Sequence, residues 1–533
     1  MPDNYGSVER FLYFSTPLGD DKLQLNQFTG YEAMSELFRY QLEFEAKNDV
    51  DVKFDQLIGK DIAFGVNVGD LPARHLSGVC IEVSQGRRGI LLTEYSMVVV
   101  PRAWTLTQKI RSRIFQQKNV PDILKTVIVG FDVEYQFDET YEKREYCVQY
   151  QESDWDFVCR LLEDEGMYYY FKFTTGTHKL TVTDKKRLTT DVADQPTIKF
   201  DPVGGGADAS MRIFDLRRSQ SWRSGKVTLW DHQFQLPHKH NEVEKIVIDT
   251  IAAGSVTHKL KLNGNDQFEI YEHPGDYAKW FDGIDKGGGE QASELGKVTK
   301  ENKRVADVRM QQEEAQMLVF LGAGDCRNLV PGHKFTLDGH FNADGAYIVA
   351  SVSHTATEGS YRSGRETVSH YENSFSCIPQ DLKFRAPRRT PKPKIGCQTA
   401  VVVGPAGEEI FTDKYGRVKV QFHWDREGKR DGSSSCWVRV ATLWAGKQFG
   451  TIFIPRVGME VVVAFEEGDP DRPIIVGCVY NADCMPPHVL PDNKTMSGFK
   501  TRSSPHAGAD NLNEIRFEDL KDREQIFSFF VGF

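Results

Sequence analysis

Three short stretches and the cysteines place reactive side chains within reach of one another. In KVQFHWD (residues 419–425), His423 beside Asp425 has the makings of a general base and its orienting carboxylate. Alternation argues against that chemistry. Val418, Val420, Phe422 and Trp424 fall on one face of a strand, and Lys419, Gln421, His423 and Asp425 on the other. This is an apolar-in, polar-out pattern, and it makes His423 a solvated or interface residue. In DHQFQLPHKH (231–240), His238 and His240 point to one side of a strand, with His232 nearby. No Cys, Asp or Glu completes a metal-ligand spacing around them, so they read as loop histidines. LLEDEG (161–166) offers Glu163, Asp164 and Glu165, but consecutive acids fan out around a helix and cannot face one substrate. They read as a solvated helix face ahead of a stop at Gly166. The cysteines (80, 147, 159, 326, 377, 397, 436, 478 and 484) are odd in number and never spaced C-x-x-C, which predicts reduced, mostly buried thiols. Neither G-x-S-x-G, a Walker loop, H-E-x-x-H nor a dinucleotide fingerprint occurs. The expectation is a protein with no catalytic, cofactor-binding or metal-ligating residue.

The chain that must position these residues has 533 of them, 40% hydrophobic and 27% charged, with a net charge of −10. At roughly 150 residues per domain, that is room for three or four cores. An acidic balance repels a phosphate backbone, so no nucleic-acid partner is expected. No stretch approaches the ~18 uncharged apolar residues of a membrane helix, and MPDNYGSVERFLYF has neither a basic nor an apolar leader segment. Synthesis in the cytoplasm without a cleaved leader is the expectation.

Residues 1–385 read as a strand-rich α+β region. RFLYFS, KLQLNQF and FRYQLEFEA run or alternate as half-buried antiparallel strands. VPDILKTVI opens a helix with Pro121 in its first turn. SDWDFVCRLLEDEG predicts another, capped by Ser153 with Asp156 three residues on and ended by Gly166. A third falls within 290–320. Glycine runs at 204–206 and 287–289 read as loops. The Pro- and Lys/Arg-rich FRAPRRTPKPKIG makes 386–396 a stiff linker. Residues 397–482 then become all-β: QTAVVV, GRVKVQFHW, CWVRVA, GTIFIP, MEVVVAF and PIIVGCV predict six short strands closing a small barrel. The segment 483–533 ends in QIFSFFVGF, whose uncharged, β-prone character presents an edge for pairing with another chain.

Taken together, DKYGRVKVQFHWDREGKRDGSSSCWVRVA, GTIFIPRVGMEVVVAFEEGDPDRPIIVGCVYN and SGFKTRSSPHAGADNLNEIRFED resemble the valine–glycine repeat protein G (VgrG) family, the spike of the bacterial type VI secretion system. RIFQQKNVPDILKTVI, YEHPGDY and VPGHKFTLDGHFNADGAYIVASVSH resemble its tail-hub region. The resemblance implies a mainly β fold: a phage tail-hub-like region, an OB-fold barrel and the start of a trimeric intertwined β-helix. It implies a homotrimer that caps a tube of Hcp rings, carries effector cargo and a PAAR-repeat tip, and touches the target membrane in passing. NEIRFED in such a fold leads into needle strands that pair between three copies, so Ile515, Phe517, Ile526 and Phe527 are the expected trimer-needle interface. Relatives continue well past EQIF, so the bulk of the needle and its tip-binding end are expected to be absent here.

Two other readings compete. A phage or phage-derived baseplate hub would share all these features. A cell-wall hydrolase would need a catalytic domain between the last barrel strand, near Val479, and SGFKTRSS at 497, and that span is too short for one.

Overall fold

The computed structural model describes residues 10–19, 22–68, 71–203, 211–282, 292–359 and 368–530. The glycine runs at 204–206 and 287–289 lie outside them. The chain divides into two compact units, the first made of residues 1–110, 118–144 and 153–391, the second of 111–117, 145–152 and 392–533.

In the first unit, β1 (Leu12–Ser15), β2 (Leu23–Ala33), β3 (Arg39–Lys47), β4 (Asp61–Val68), β5 (Leu71–Arg88) and β6 (Leu92–Val100) pair in the order β1-β4-β5-β6-β3-β2. β1 returns beside β2 and rolls this half into a barrel. Alternation builds its core: Tyr40, Leu42 and Phe44 of β3 are buried while Arg39 before them and Glu43 between them face outward. Each such aromatic or aliphatic side chain contributes about 1.5–3 kcal/mol on burial. β2 continues into a second barrel made of β7 (Thr197–Phe200), β8 (Arg212–Gln220), β9 (Leu318–Gly324), β10 (Lys334–Asp338), β11 (Gly345–Thr357) and β12 (His370–Pro379). Its order is β11-β10-β7-β8-β9-β12, and β12 pairs back onto β11 to close the ring. Phe320, Phe335, Tyr347 and Phe375 fill the interior.

All three predicted helices form. α1 (Val120–Val127) starts at Asn119, whose side chain accepts from Asp122 N. In α2 (Asp154–Glu165), Ser153 Oγ accepts from Asp156 N at 2.9 Å and donates to Asp156 Oδ2 at 2.7 Å, and Gly166 ends the helix at φ 73°. α3 spans Ala292–Glu314. The acidic run of α2 corrects the sequence reading. Glu163 and Glu165 are buried, because arginines and backbone donors remote in sequence reach them. Arg144 Nη2 lies 2.5 Å from Glu165 Oε1, and Arg304 pairs with the other oxygen. Glu163 accepts from Arg389 N, Thr390 N and Thr390 Oγ1.

The second unit is built on β13 (Gln398–Val403), β14 (Lys419–Phe422), β15 (Arg439–Val440), β16 (Glu460–Phe465) and β17 (Pro473–Val479). The order β14-β13-β16-β17-β15, with β15 parallel to β17 and a bridge from Val418 to Val438, closes a five-stranded barrel. GTIFIP is not a sixth barrel strand. Only Phe449–Gly450 pairs, with Ala445–Gly446, in a short hairpin whose turn needs Gln448 at φ 64°. Ile452 and Phe453 beyond it are exposed. The strand Arg144–Ser153 adds Tyr146 and Val148 to the barrel core. Val148 N donates to buried Asp471 Oδ1 at 2.7 Å, and Lys392 Nζ sits 2.7 Å from Asp471 Oδ2. No helix among the described residues is long and apolar enough to cross a membrane.

Candidate assembly interface

The last three strands, β18 (Met496–Lys500), β19 (Asn513–Glu518) and β20 (Gln525–Phe530), form an antiparallel sheet whose register decides which side chains share a face. Gly498 makes the close pairing possible. At φ 152°, a Cβ there would fall 2.1 Å from the Ile515 carbonyl oxygen. Phe499 stands opposite Ile515, and Phe517 opposite Ile526. Ile515, Phe517 and Ile526 therefore gather with Phe499 on one face. Phe527 does not join them. It is opposite Arg516 on the other face, with the guanidinium 4.6 Å from its ring centroid, and beside Phe529. The second face also holds Glu514, buried, with His488 Nε2 at 3.3 Å and Arg516 Nη1 at 3.7 Å. All four of the expected residues are exposed in the single chain, Ile526 to 75%.

A second exposed apolar surface escaped the sequence reading. Around the short hairpin, Leu443 (90%), Trp444, Phe449, Ile452 (76%) and Phe453 all face solvent. Trp444 and Phe449 meet edge to face at 5.4 Å, and Phe453 stacks on Phe499. A soluble protein seldom leaves such a contiguous patch without a partner. The signal in the sequence was the string LWAGKQFGTIFIP itself: apolar residues without strict alternation, broken by two glycines and a proline.

The sites with catalytic or metal-ligating side chains resolve into structural roles. His423 is exposed, with Nε2 3.1 Å from Thr399 Oγ1 and 3.8 Å from Glu460 Oε1. Asp425 does not orient it. Its carboxylate accepts from Glu427 N and Gly428 N, each at 3.0 Å. Here the polar-out expectation needs correction: Gln421 and Asp425 are buried because they hold the 425–434 loop, Gln421 Oε1 accepting from Arg430 N and Ser434 Oγ. His232, His238 and His240 are exposed, and His240 pairs with Glu242 at 2.9 Å and packs on Trp230. Among the described residues no three His, Cys, Asp or Glu are grouped to hold a metal ion. Burial raises the Glu163 carboxyl above its ordinary range, although backbone and side-chain donors at Thr390 and Arg389 oppose the shift. Five of the nine cysteines, 80, 147, 326, 377 and 436, are buried.

A rolled six-stranded sheet continuing into a closed barrel in one unit, and a five-stranded barrel followed by an open sheet in the other, define a class. Residues 31–360 match the family described as phage tail baseplate hub (GPD), and residues 406–480 match the type VI secretion system/phage-baseplate injector OB domain. The chain therefore belongs to the phage tail baseplate hub class. The chain belongs, more narrowly, to the VgrG family of type VI secretion system spike proteins. It is 37% identical to the spike protein VgrG1b of Pseudomonas aeruginosa over 97% of its length, covering 66% of that relative. It is 36% identical to VgrG1c and VgrG1a of the same organism, covering 69% and 77% of them. Among solved structures, an Escherichia coli type VI component described as similar to the T4 bacteriophage tail proteins gp27 and gp5 shares the fold at a TM-score of 0.58 and 19% identity, over 87% of this chain and 99% of that one. A chain of the structure described as the lidless PdpA–VgrG complex matches at a TM-score of 0.59 and 9% identity, over 97% of this chain and 95% of that one.

Proposed function

We propose that this chain is one protomer of a homotrimeric spike that caps a tube of Hcp rings, is driven outward by the type VI machinery, punctures a target envelope and delivers effectors. It is assembled in the cytoplasm and exported by that machinery, touches the target membrane only in passing, and binds no nucleic acid. A PAAR-repeat tip belongs at the far end of a longer needle. The observation that carries this reading is the open C-terminal sheet. Among the described residues β20 pairs with a neighbour along one edge only, and Ile515, Phe517 and Ile526 share an uncovered face. Two symmetry mates would cover both edge and face. Phe527, on the opposite face, belongs to the same needle interface through the other neighbour.

The role is mechanical, without substrate turnover. His423 and Asp425 do not work as a pair, and the span from Val479 to Met496 holds no room for a catalytic domain. The phage-baseplate reading shares the hub and barrel, and the 36–37% identity to secretion spikes favours the secretion system. Light scattering on the purified chain is expected to give three times its 60.6 kDa mass. A monomer at micromolar concentration overturns the spike reading, as does hydrolysis of peptidoglycan that one substitution abolishes.

A further inference from the structure

In the first unit, a hairpin of the strands Tyr168–Thr174 and Thr177–Thr183 packs on β5. A cavity of about 240 Å³ lies among this hairpin, β5, the 130–132 loop and the helical turn Arg102–Gln108. Its buried lining is Ala103, Phe171 and Leu180, with one hydroxyl among them. That hydroxyl belongs to Ser77, which is 2% exposed, and its Oγ has no hydrogen-bond partner. A hydroxyl buried without a partner is destabilising, so it marks a place where a bound group would supply the missing bond.

His178, which also lines the cavity, offers a second bond. Its Nε2 lies 3.0 Å from Arg102 N, and a backbone N–H can only donate, so the ring is neutral and carries its proton on Nδ1. Among the described residues Nδ1 has no partner. Burial, with the Phe38 ring 5.4 Å away, pushes the pKa of His178 down to about 4 and keeps the ring in that state at neutral pH. The exposed rim is charged. Arg102 Nη2 lies 2.5 Å from both oxygens of Asp61, while its Nε and Nη1 bond no described residue. Asp132 holds Lys179 loosely, at 3.4 Å.

We infer that this cavity binds a small zwitterion, a free α-amino acid whose short side chain ends in a hydroxyl or a carboxamide. Two charges of each sign stand at the rim, Asp61 and Asp132 against Arg102 and Lys179. A lone anion or a lone cation meets like charge there, whereas a zwitterion finds an opposite charge for each of its ends. The unbonded nitrogens of Arg102 take the carboxylate, and Asp132 takes the ammonium. The side chain then enters the apolar interior, where Ser77 Oγ and His178 Nδ1 meet its polar end. Size sets the upper limit, because drug-sized ligands occupy about 300–1,000 Å³ and this cavity is smaller. The site lies within one protomer, so it stands or falls apart from the trimer proposed above.

Titration calorimetry on the full chain tests the site. L-Threonine or L-asparagine is expected to bind saturably, about tenfold more tightly than the isosteric L-valine or L-leucine, whose side chains leave Ser77 unpaired. Butyrate and butylamine, with one charge each, are expected to bind at least about tenfold more weakly than the amino acid. Ser77→Ala removes only an unpartnered hydroxyl, so it is expected to melt no earlier than the unaltered chain and to lose the preference for the polar side chain while keeping its affinity for valine or leucine. Asp132→Asn, at an exposed position, is expected to weaken the amino acid about tenfold. No saturable heat with either polar amino acid, binding of butyrate or butylamine as tight as that of the amino acid, or a polar preference that survives Ser77→Ala overturns the site.

Discussion

Phe453 and Phe499 stack face to face, with ring centroids 5.6 Å apart and planes within 7°. One ring belongs to the segment after the barrel's exposed hairpin, the other to β18, so the barrel end and the first C-terminal strand are tied by an aromatic pair. Such pairs contribute about 0.5–1.5 kcal/mol beyond area burial. Phe453→Ala should leave the barrel's melting transition within a degree or two and speed amide exchange in Met496–Lys500. Unchanged exchange there would mean the stack does not order the strand.

Neighbours in one strand should differ sharply. Phe422 is 1% exposed and stacks on Trp424 at 5.3 Å and Phe465 at 5.8 Å, whereas His423 is exposed. Phe422→Ala is expected to cost about 3–5 kcal/mol through the cavity it opens. His423→Ala, which gives up one solvent-accessible hydrogen bond, should cost under about 1 kcal/mol. Denaturant melts rank the two, and a larger loss for the histidine variant contradicts the strand faces.

The two ends of α2 give a second graded pair. Ser153→Ala removes an N-cap and should cost about 1 kcal/mol. Gly166→Ala should cost more, because φ is 73° and the new Cβ would approach both Val308 methyls to 2.7 Å. Urea midpoints that place the serine change as the worse would show that the helix end relaxes freely.

Those caps were legible in the sequence because they are local: residues three apart decide them. The same holds for the apolar phase of β14, which put Val418, Val420 and Phe422 inward. What failed is long-range. Glu165 looks solvated until Arg144 and Arg304 are brought to it, and Gln421 looks outward-facing until the loop to Ser434 folds back onto its amide. The split of Phe527 from its three companions depends on the register across the 519–524 turn, and a one-residue difference there reverses every face of β20. The barrel's use of Tyr146 and Val148 has no local signal.

A buried charge network where the two barrels of the first unit share β2 and β11 predicts acid sensitivity. Glu32 Oε1 lies 3.1 Å from both Arg74 Nη2 and His354 Nε2 and accepts from Tyr40 OH, while His354 Nδ1 meets Tyr371 OH at 2.7 Å. Burial pushes the Glu32 carboxyl up, but the Arg74 charge and the His354 and Tyr40 contacts outweigh it and hold it below its ordinary range. A lowered carboxylate contributes stability fully above the unfolded value of about 4.3, and loses it as pH falls through the folded value. Glu32→Gln should cost about 3–5 kcal/mol at neutral pH by stranding Arg74. Its deficit should shrink as pH is lowered below 4. A deficit that stays constant from pH 7 to 3 would assign the acid limb to other groups.

The final prediction concerns what holds three copies together. Cutting the chain after Asn481 removes β18, β19 and β20, and with them Ile515, Phe517, Ile526 and Phe527, but keeps Leu443, Trp444, Phe449, Ile452 and Phe453. In a single copy the C-terminal sheet has its first apolar face open to water, and bringing three such tails into register costs backbone entropy at every residue ordered. The seven exposed apolar side chains of these strands, Phe499, Ile515, Phe517, Ile526, Phe527, Phe529 and Phe530, return about 1.5–3 kcal/mol each against an ordering cost of about 1–2 kcal/mol for every residue of the tail, too little to drive assembly alone. Obligate oligomers bury about 2,000 Å² or more, and all the barrels lie in the residues before 482 that the shortened chain keeps. The shortened chain is therefore expected to scatter light as a trimer, the mass also expected of the full chain, with a melting temperature only slightly lower. If the full chain is a trimer and the shortened one a monomer, the tail and not the barrels drives assembly, and the exposed hairpin patch must face some other partner.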